Sequence, residues 1–271
     1  MVIRALISKI AAELDENAVF EARQIVMRAA DMTNTDMVLR INEQLTPQQE
    51  SMALEMARRR VLGEPLQYIL GFAEFMGLRF EVNRNVLIPR ADTETLVETV
   101  LNEKSGGISA LDIGTGSGCV GISIAHFNKN ARVTLLDISS AALDTAKKNA
   151  KNNCVNCDFI NMDILSGCPH GQYDVIVSNP PYIRPEVIDT LQTEVKDFEP
   201  YTALCGGEDG LVFYRRIVEI APRILNRNGL LAFEIGYDQG EDAVSLMRGF
   251  DNVRVIKDLC GNDRVVTGVL K

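Results

Sequence analysis

The first 70 residues carry the hydrophobic spacing of amphipathic helices. Apolar residues recur three or four positions apart among polar ones, at Leu6, Ile10, Leu14, Ile25, Val26, Ala29 and Ala30. A helix start follows, because Thr46 can act as an N-cap, Pro47 suits the first turn and Gln49 stands at the capping-box distance. We expect this helix to continue to about Leu62. The pattern predicts a small helical domain over residues 1–70.

The spacing changes to strict alternation after this region. Leu78-Arg79-Phe80-Glu81-Val82 places apolar and polar residues in turn, which is typical of a half-buried strand. We therefore predict short strands between Gly71 and Asn85 that pair as a β-hairpin. We assign residues 71–90 to this hairpin and to a linker between two domains.

From residue 91 onward, short apolar runs alternate with helical patterns. Strands are expected at Ala110 to Ile113, Val133 to Asp137, Phe159 to Met162, Tyr173 to Ser178, Leu230 to Ile235, Val253 to Ile256 and Arg264 to Leu270. Helices are expected at Cys119 to Phe127, Ser140 to Asn152, Glu208 to Leu225 and Gln239 to Arg248. This rhythm is typical of βαβ units. The predicted fold class is α/β, with a mostly parallel sheet over residues 91–271 and helices on both of its faces.

Charge and composition restrict the partners. Lys and Arg number 28 against 37 Asp and Glu, a net charge of −9, so no general attraction to nucleic acid or anionic membranes is expected. No run of about 18 uncharged apolar residues occurs, so no membrane span is expected. Six cysteines without a secretion signal predict a cytoplasmic protein with reduced thiols. A monomer is expected.

A glycine-rich loop follows the first strand of the predicted sheet. Asp112-Ile113 leads into Gly114-Thr115-Gly116-Ser117-Gly118 and then into a predicted helix. Glycines in such a turn let a ligand approach the backbone closely. The spacing differs from the dinucleotide pattern G-x-G-x-x-G, and the lysine of phosphate-binding loops is missing. We interpret the segment as a loop for another kind of cofactor.

Acidic residues follow the next two strands. Asp137 ends the second strand, and Asp163-Ile164 follows the third. The carboxyl ends of parallel strands form the ligand-binding edge of an open α/β sheet, where a carboxylate can accept hydrogen bonds from ribose hydroxyls. Together with the glycine loop, these residues resemble the S-adenosylmethionine site of Rossmann-like methyltransferases. That resemblance implies that Asp112 orients the ammonium group, Asp137 holds the ribose, and Asp163 contacts adenine.

The fourth strand runs directly into Asn179-Pro180-Pro181-Tyr182 at the same edge. Successive prolines restrict Asn179 and Pro180 to extended backbone shapes, so a side-chain amide and a carbonyl can project rigidly into the site. Such a corner accepts hydrogen bonds from a planar NH₂ group, and the Tyr182 ring offers a face for stacking. Holding the nitrogen in line with an activated methyl group is the main requirement for its methylation.

Further motifs are spread along the chain. They are Gly63-Glu64-Pro65, Gln67-Tyr68-Ile69, Gly71, Phe75, Leu87 to Glu94, Ser178 to Ile183, Phe198-Glu199-Pro200, Gly206 to Gly210, Glu234-Ile235-Gly236 and Asp263-Arg264-Val265. With the glycine loop, they make the chain resemble the HemK-type release factor glutamine methyltransferases. The resemblance covers the chain from about Arg60 onward.

This resemblance implies methylation of the side-chain nitrogen N5 of the glutamine in the Gly-Gly-Gln motif of class I peptide chain release factors, with S-adenosylmethionine as donor. It assigns cofactor binding to Asp112, Gly114, Thr115, Gly116, Ser117, Gly118, Asp137, Asp163, Ile164 and Asn179. It assigns catalysis to Asn179, Pro180 and Tyr182, and substrate binding to these three with Pro181 and Arg90. Ile164 stands where relatives can have an aromatic residue. The helical domain and the hairpin are expected to dock the release factor.

Other functions stay open on sequence grounds. The exocyclic amino groups of adenine (N6) and guanine (N2) present the same planar donor, so a nucleic-acid methyltransferase is an alternative. A non-catalytic scaffold that keeps the fold only as an assembly surface is another. Cys154 and Cys157 have the spacing of half a zinc site, with Cys168 and His170 further on. We favour packing thiols over a metal site there, because a second pair with this spacing is absent.

Overall fold

The computed structural model describes residues 1–14 and 17–271, so Asp15 and Glu16 of the predicted helical domain lie outside the described residues. The described chain forms two compact units. The first comprises Met1–Phe72 with Gln192–Phe198, and the second comprises Ala73–Leu191 with Glu199–Lys271. The boundaries predicted from the sequence, at residues 70 and 90, divide the chain in sequence order. They therefore do not place Gln192–Phe198 in the first unit.

The first unit is helical. Its helices are α1 (Ile3–Ala11), α2 (Ala18–Ala30), α3 (Asn34–Leu39), α4 (Pro47–Val61) and α5 (Leu66–Leu70). The predicted capping box at the start of α4 forms, because Thr46 Oγ1 accepts the Gln49 N–H at 3.2 Å and Gln49 Oε1 accepts the Thr46 N–H at 3.1 Å. Each bond satisfies a donor that the first helical turn leaves unpaired.

One apolar core fills this unit. The predicted positions Leu6, Ile10, Ile25, Val26, Ala29 and Ala30 are all buried in it, whereas Leu14 packs against it only partly. At the edge of the core, the Arg60 guanidinium lies 2.6 Å from Glu21 and 2.7 Å from Glu194. This half-buried ion pair holds the end of α4 beside the start of α2 and beside the segment Gln192–Phe198.

The predicted hairpin is formed by β1 (Phe72–Phe75) and β2 (Leu78–Glu81). All of it except Phe72 belongs to the second unit. Its inward residues Phe75 and Phe80 pack edge to face, with ring centroids 6.0 Å apart. The buried Asn149 accepts the Glu81 N–H at 2.6 Å and donates to the Glu81 carbonyl at 3.0 Å and to the Ser117 carbonyl at 2.9 Å. The hairpin is therefore tied to the glycine loop through one satisfied amide.

A seven-stranded sheet, counted over the described residues, has the order β5-β4-β3-β6-β7-β9-β8. Its strands are β3 (Ser109–Ile113), β4 (Arg132–Asp137), β5 (Cys157–Asn161), β6 (Tyr173–Ser178), β7 (Leu225–Glu234), β8 (Phe250–Lys257) and β9 (Asp263–Leu270). Strands β3 to β7 pair in parallel, and β9 runs antiparallel between β7 and β8. The predicted α/β class and its mostly parallel sheet are confirmed.

The helices that follow the hairpin are α6 (Glu94–Glu103), α7 (Cys119–Phe127), α8 (Ser140–Asn152), α9 (Pro185–Ile188), α10 (Thr193–Lys196), α11 (Tyr201–Leu204), α12 (Val212–Ile224) and α13 (Gly240–Leu246). Of these, α10 lies in the segment Gln192–Phe198 and belongs to the first unit. Residues of α6, α7 and α8 pack with Ala110 and Val175 in one core, and residues of α12 and α13 pack with Leu111 and Ile176 in the other. Alternate residues of the central strands thus serve opposite cores, which explains their continuous apolar runs.

Several boundaries differ from the sequence-based prediction. Strand β5 begins two residues earlier and ends one residue earlier than expected, and α12 begins at Val212 instead of Glu208. The helix α6 and the short helices α9, α10 and α11 were not predicted. Helices of four residues are too short to show an apolar period, so the pattern could not reveal them.

Three further findings concern membrane helices, disulfides and metal sites. Within residues 1–14 and 17–271, no helix is long and apolar enough to cross a membrane. All six cysteines lie in the described part of the chain and are free thiols. The described residues contain no group of three or more His, Cys, Asp or Glu side chains that could hold a metal ion.

Gly121→Ala tests how closely α7 packs on the sheet. An added Cβ would lie 2.2 Å from Leu135 Cδ2 and 3.0 Å from Asp112 Oδ2, so we expect a loss of about 1–3 kcal/mol in the free energy of unfolding. Gly249→Ala is the matched control, because nothing lies within 4 Å of its added Cβ, and it should change stability by less than about 0.5 kcal/mol. Urea denaturation followed by circular dichroism measures both; equal stabilities would contradict the close packing.

Candidate active site

The glycine loop connects β3 to α7 at the carboxyl edge of the sheet. The N–H groups of Gly114 and Thr115 both donate to the Leu136 carbonyl, at 2.8 and 3.0 Å, which fixes the loop against β4. Gly118 has a φ of +84°, and an added Cβ there would lie 2.6 Å from Ile122 Cδ1. A left-handed backbone with so little room requires glycine. The sequence thus folds into a turn that leads straight into α7.

Asp112 lies beneath this loop with 1% of its surface exposed. Its Oδ2 accepts the Thr115 hydroxyl at 2.6 Å and the Gly121 N–H at 3.0 Å. Burial raises the pKa of Asp112 to about 6, although these two hydrogen bonds favour the charged form. The carboxylate is therefore positioned by both the loop and α7, at a desolvation cost that a cation in the site would offset.

Asp137 ends β4 and faces the same loop. Its Oδ2 accepts the Gly116 N–H at 2.8 Å and its Oδ1 accepts the Ser139 N–H at 2.9 Å. Burial raises the pKa of Asp137 above its usual range. Because each carboxylate oxygen can accept two hydrogen bonds, the group is oriented by backbone donors and keeps the capacity to accept others.

Asp163 and Ile164 follow β5. Asp163 closes a local turn, with Oδ1 accepting the Leu165 N–H at 2.9 Å and Oδ2 accepting the Ser166 hydroxyl at 3.0 Å. The Ile164 side chain is buried and belongs to the second core of the sheet. Arg216 holds the Ile164 carbonyl at 2.9 Å. The pair forms a firm corner rather than a free loop.

The Asn179-Pro180-Pro181-Tyr182 segment leaves β6 beside the glycine loop. In the parallel pairing, Ser178 stands next to Ile113, and the Ser178 hydroxyl donates to the Ile113 carbonyl at 2.7 Å. The Asn179 side chain donates from Nδ2 to Thr93 Oγ1 at 3.2 Å. This orientation directs the amide nitrogen toward Thr93 and frees the amide oxygen for other partners.

Tyr182 has surroundings that the sequence analysis did not foresee. Its hydroxyl donates to Glu234 Oε1 at 3.3 Å, and its carbonyl accepts the Gln239 side chain at 3.2 Å. Gly206 and Gly210 pack against its backbone, where added Cβ atoms would come within 2.6 Å of Tyr182 Cα and 2.4 Å of the Tyr182 carbonyl oxygen. The Gly206 to Gly210 motif thus allows the chain to pass close behind the corner.

A cavity of about 540 Å³ joins these elements. The predicted site residues that line it are Arg90, Asp112, Gly114, Thr115, Gly116, Ser117, Asp137, Asp163, Ile164, Asn179, Pro180 and Pro181. Gly118 and Tyr182 are not among the described residues that line it. Gly118 lies at the start of α7, and the Tyr182 hydroxyl is directed to Glu234.

Other lining residues were missed by the sequence analysis as site residues. Thr93, Pro200, Tyr201 and Phe213 also line the cavity. Arg90 is held there by the buried Glu199, at 2.5 Å. The sequence contained two motifs from this region, Leu87 to Glu94 and Phe198-Glu199-Pro200. Only the structure shows that both contribute residues to the cavity.

Glu234, at the end of β7, is also close to the site. It is 2% exposed, and burial raises its pKa to about 7, while hydrogen bonding by Thr93 and Tyr182 and the charge of Arg264 favour the ionised form. Its motif was visible in the sequence, yet its contact with Thr93 and Tyr182 joins three distant segments and could not be inferred from spacing.

Two family descriptions match the chain. The PrmC N-terminal domain matches residues 2–71, and the Methyltransferase small domain matches residues 90–195. A release factor glutamine methyltransferase from Bacillus anthracis is 42% identical over 263 residues, covering 93% of this chain and 92% of the relative. One from Clostridium botulinum is 45% identical over 210 residues, covering 74% of each chain.

Solved structures share the fold. A methyltransferase from Pyrococcus furiosus matches with a TM-score of 0.54 and 24% identity, covering 72% of this chain and 89% of that chain. A 16S rRNA N2 methyltransferase from Thermus thermophilus, in complex with AdoMet and guanosine, matches with a TM-score of 0.55 and 16% identity, covering 74% of this chain and 50% of that chain.

Sheet order, glycine loop and edge cavity together define a Rossmann-like methyltransferase. Within that class, the matches along nearly the whole length show that the chain belongs to the release factor glutamine methyltransferase family. The resemblance seen in the sequence is thereby confirmed, and the nucleic-acid alternative is not favoured.

Asp112→Asn tests the cost of the buried carboxyl. The pKa rises from 3.8 to about 6 on folding, so between these two pH values the folded protein keeps a proton that the unfolded chain releases. Through this group the free energy of unfolding falls by up to about 3 kcal/mol as pH rises, because one pKa unit corresponds to about 1.4 kcal/mol. Urea denaturation without cofactor, from about pH 4 to about pH 8, should show the variant gaining stability relative to wild type. A pH-independent difference would contradict this assignment.

Proposed function

We propose that this protein transfers a methyl group from S-adenosylmethionine to the side-chain amide nitrogen of the glutamine in the Gly-Gly-Gln motif of class I release factors. The observation that carries the proposal is the Asn179 and Pro180 corner, which opens onto the same cavity as the glycine loop. Family membership supports the choice of acceptor, since the relatives are named for release factor glutamine methylation.

The residues present fit the cofactor. The cavity of about 540 Å³ lies in the usual range for small-molecule sites. Added Cβ atoms at Gly114 and Gly116 would meet nothing within 4 Å, so the backbone here is open to a ligand. Asp112 would face the ammonium group and Asp137 the ribose hydroxyls. Ile164 would contact adenine, where its apolar side chain offers packing without a hydrogen bond.

S-adenosylmethionine, when bound, supplies a methyl group already activated by the sulfonium. An amide nitrogen is a weak nucleophile because its lone pair is delocalised, so the protein must hold it in line and stabilise the positive charge that develops. The Asn179 side-chain oxygen and the Pro180 carbonyl can each accept one N–H of the substrate amide. Two oriented dipoles then face the developing charge.

Discriminating the acceptor requires a labelled methyl-transfer assay. Purified release factor, its Gly-Gly-Ala variant, bulk DNA and bulk RNA are offered in parallel to the enzyme. We expect label only on the wild-type factor, because the net charge of −9 gives no general attraction to nucleic acid. Label on nucleic acid alone would refute the proposed acceptor, and no label with intact cofactor binding would favour a scaffold.

Asn179→Ala and Asp137→Ala should separate the two halves of the site. Loss of the Asn179 oxygen should lower kcat by about 100-fold or more, with cofactor Kd changed less than about threefold, because the acceptor loses a charge-stabilising dipole. Loss of Asp137 should raise cofactor Kd by about tenfold or more, because the ribose hydroxyls lose an ionised acceptor. Calorimetry and steady-state kinetics measure both effects on proteins checked for folding. Equal losses of cofactor binding would reject this division.

We also propose that the helical unit docks the release factor. Val19, Phe20, Val61 and Leu62 are each more than half exposed. The Arg60–Glu21 ion pair brings the neighbouring ends of α2 and α4 together. This exposed apolar group of four side chains suits a protein partner better than a polyanion.

Phe20→Ser and Leu62→Ser should raise KM for the intact release factor by about tenfold, because each removes apolar contact area. Both should leave turnover of a short Gly-Gly-Gln peptide unchanged. Leu39→Ser is the matched control, since Leu39 is 77% exposed on another helix of the same unit. Docking by these ends of α2 and α4 would be wrong if Leu39→Ser raised KM as much as the two test variants.

A further inference from the structure

We infer that Thr93 and Glu234 act as positioning residues that fix the Asn179 amide with its oxygen toward the acceptor. The inference rests on the proposed function for the identity of the acceptor. The arrangement of Asn179, Thr93 and Glu234 does not depend on that function. It concerns residues outside the glycine loop and the Asn-Pro-Pro-Tyr corner. Thr93 stands in the turn Ala91–Thr93 before α6, and Glu234 ends β7.

The side chain of Asn179 can lie in two orientations. Its amide has an oxygen that accepts hydrogen bonds and a nitrogen that donates them, and a half-turn about the terminal bond exchanges the two. Only one orientation suits an NH₂ substrate, because two NH₂ groups that face each other cannot both donate usefully. Something in the protein must therefore select between the orientations.

Thr93 supplies the selection. Its Oγ1 lies 3.2 Å from Asn179 Nδ2, and Thr93 is 1% exposed, so water does not compete for the contact. A hydroxyl has one hydrogen and two lone pairs. If that hydrogen is directed elsewhere, only lone pairs remain for Asn179, and the amide must present its nitrogen to Thr93.

Glu234 is the partner for that hydrogen. Oε1 of Glu234 accepts the Tyr182 hydroxyl at 3.3 Å, whereas Oε2 is buried without a hydrogen bond of good geometry among the described residues. The Thr93 hydroxyl interacts with the same carboxyl group and favours its charged form. In the inferred network, the Thr93 hydroxyl donates its hydrogen to this carboxylate, which leaves the Thr93 lone pairs to Asn179.

The consequence is a fixed polarity of the acceptor corner. In this network the donors run from Asn179 to Thr93 and from Thr93 to Glu234, so Asn179 Oδ1 stays free to accept. Together with the Pro180 carbonyl, it forms the pair of acceptors in the proposed function. An amide or amino nitrogen can donate to both oxygens. A carboxylate in the same place would bring its oxygens against two acceptors without a hydrogen, so the corner selects amide over acid.

Thr93→Val and Thr93→Ser form the matched pair that tests this inference. Valine keeps the shape and removes the hydroxyl, whereas serine keeps the hydroxyl. Thr93→Val should lower kcat for methyl transfer by about 10-fold to 100-fold, because the corner loses its fixed orientation. Cofactor Kd should change by less than about threefold, and Thr93→Ser should retain kcat within about threefold of wild type.

Glu234→Gln then tests whether Glu234 acts through Thr93. The variant should lower kcat on its own. In the Thr93→Val background it should lower kcat by a smaller factor, because the hydroxyl through which Glu234 acts is already missing. Full additivity of the two losses would overturn the role of Glu234. Wild-type kcat in Thr93→Val, or an equal loss in Thr93→Ser, would overturn the role of Thr93.

An activity-independent readout separates this inference from the proposed function. The side-chain NH₂ signals of Asn179 can be assigned in a ¹⁵N spectrum of the full chain by their loss in Asn179→Asp. We expect slow hydrogen exchange of one amide hydrogen in wild type and in Thr93→Ser, and fast exchange in Thr93→Val. Equal exchange in all three would refute the network, even with release factor methylation intact. If methylation fails while the protection pattern is as expected, only the proposed acceptor is wrong.

Discussion

Parallel pairing of β3 with β6 is the constraint on which the site depends. Ile113 and Ser178 stand side by side at the ends of these strands and are joined by the Ser178 hydroxyl. Since the chain continues from β3 into α7 and reaches β6 only after two further crossovers, the loops that leave the two strands diverge and open a crevice. The glycine loop and the Asn179 corner form its two sides. A donor of a methyl group and its acceptor can therefore be held by elements that share one rigid sheet.

Buried carboxyl groups fix both sides of this crevice. Asp112 and Glu234 are each at most 2% exposed, and burial raises the pKa of both. A hydroxyl restrains each one, Thr115 in the first case and Tyr182 in the second. Such groups cost stability when they are ionised, but they orient their neighbours strongly because no water competes. The apolar sheet thus provides the stability of this region. The buried polar contacts orient the side chains of the site and add little to stability.

Much of the site could be predicted because its residues follow their strands directly. Gly114 to Ser117, Asp137, and Asn179 to Pro181 line the cavity, as expected for residues at the carboxyl ends of parallel strands. The direction of the Tyr182 side chain could not be predicted in this way. Tyr182 directly follows Pro181, but its ring direction depends on Glu234 and on the glycine segment behind it. The roles given to these residues in binding and catalysis are proposals that the experiments above address.

The sequence by itself determined the class of the fold, the approximate positions of the strands and of most long helices, and the family to which the chain belongs. Apolar periodicity and short motifs are local properties, so they can be recognised in the sequence without knowledge of the fold. Only the tertiary structure decided that Gln192–Phe198 joins the helical unit, that Arg90 is held by Glu199, and that Thr93, Asn179 and Glu234 meet. These contacts join segments that are far apart in the chain. Packing of the sheet and its helices sets them, and no spacing in the sequence encodes the distances involved.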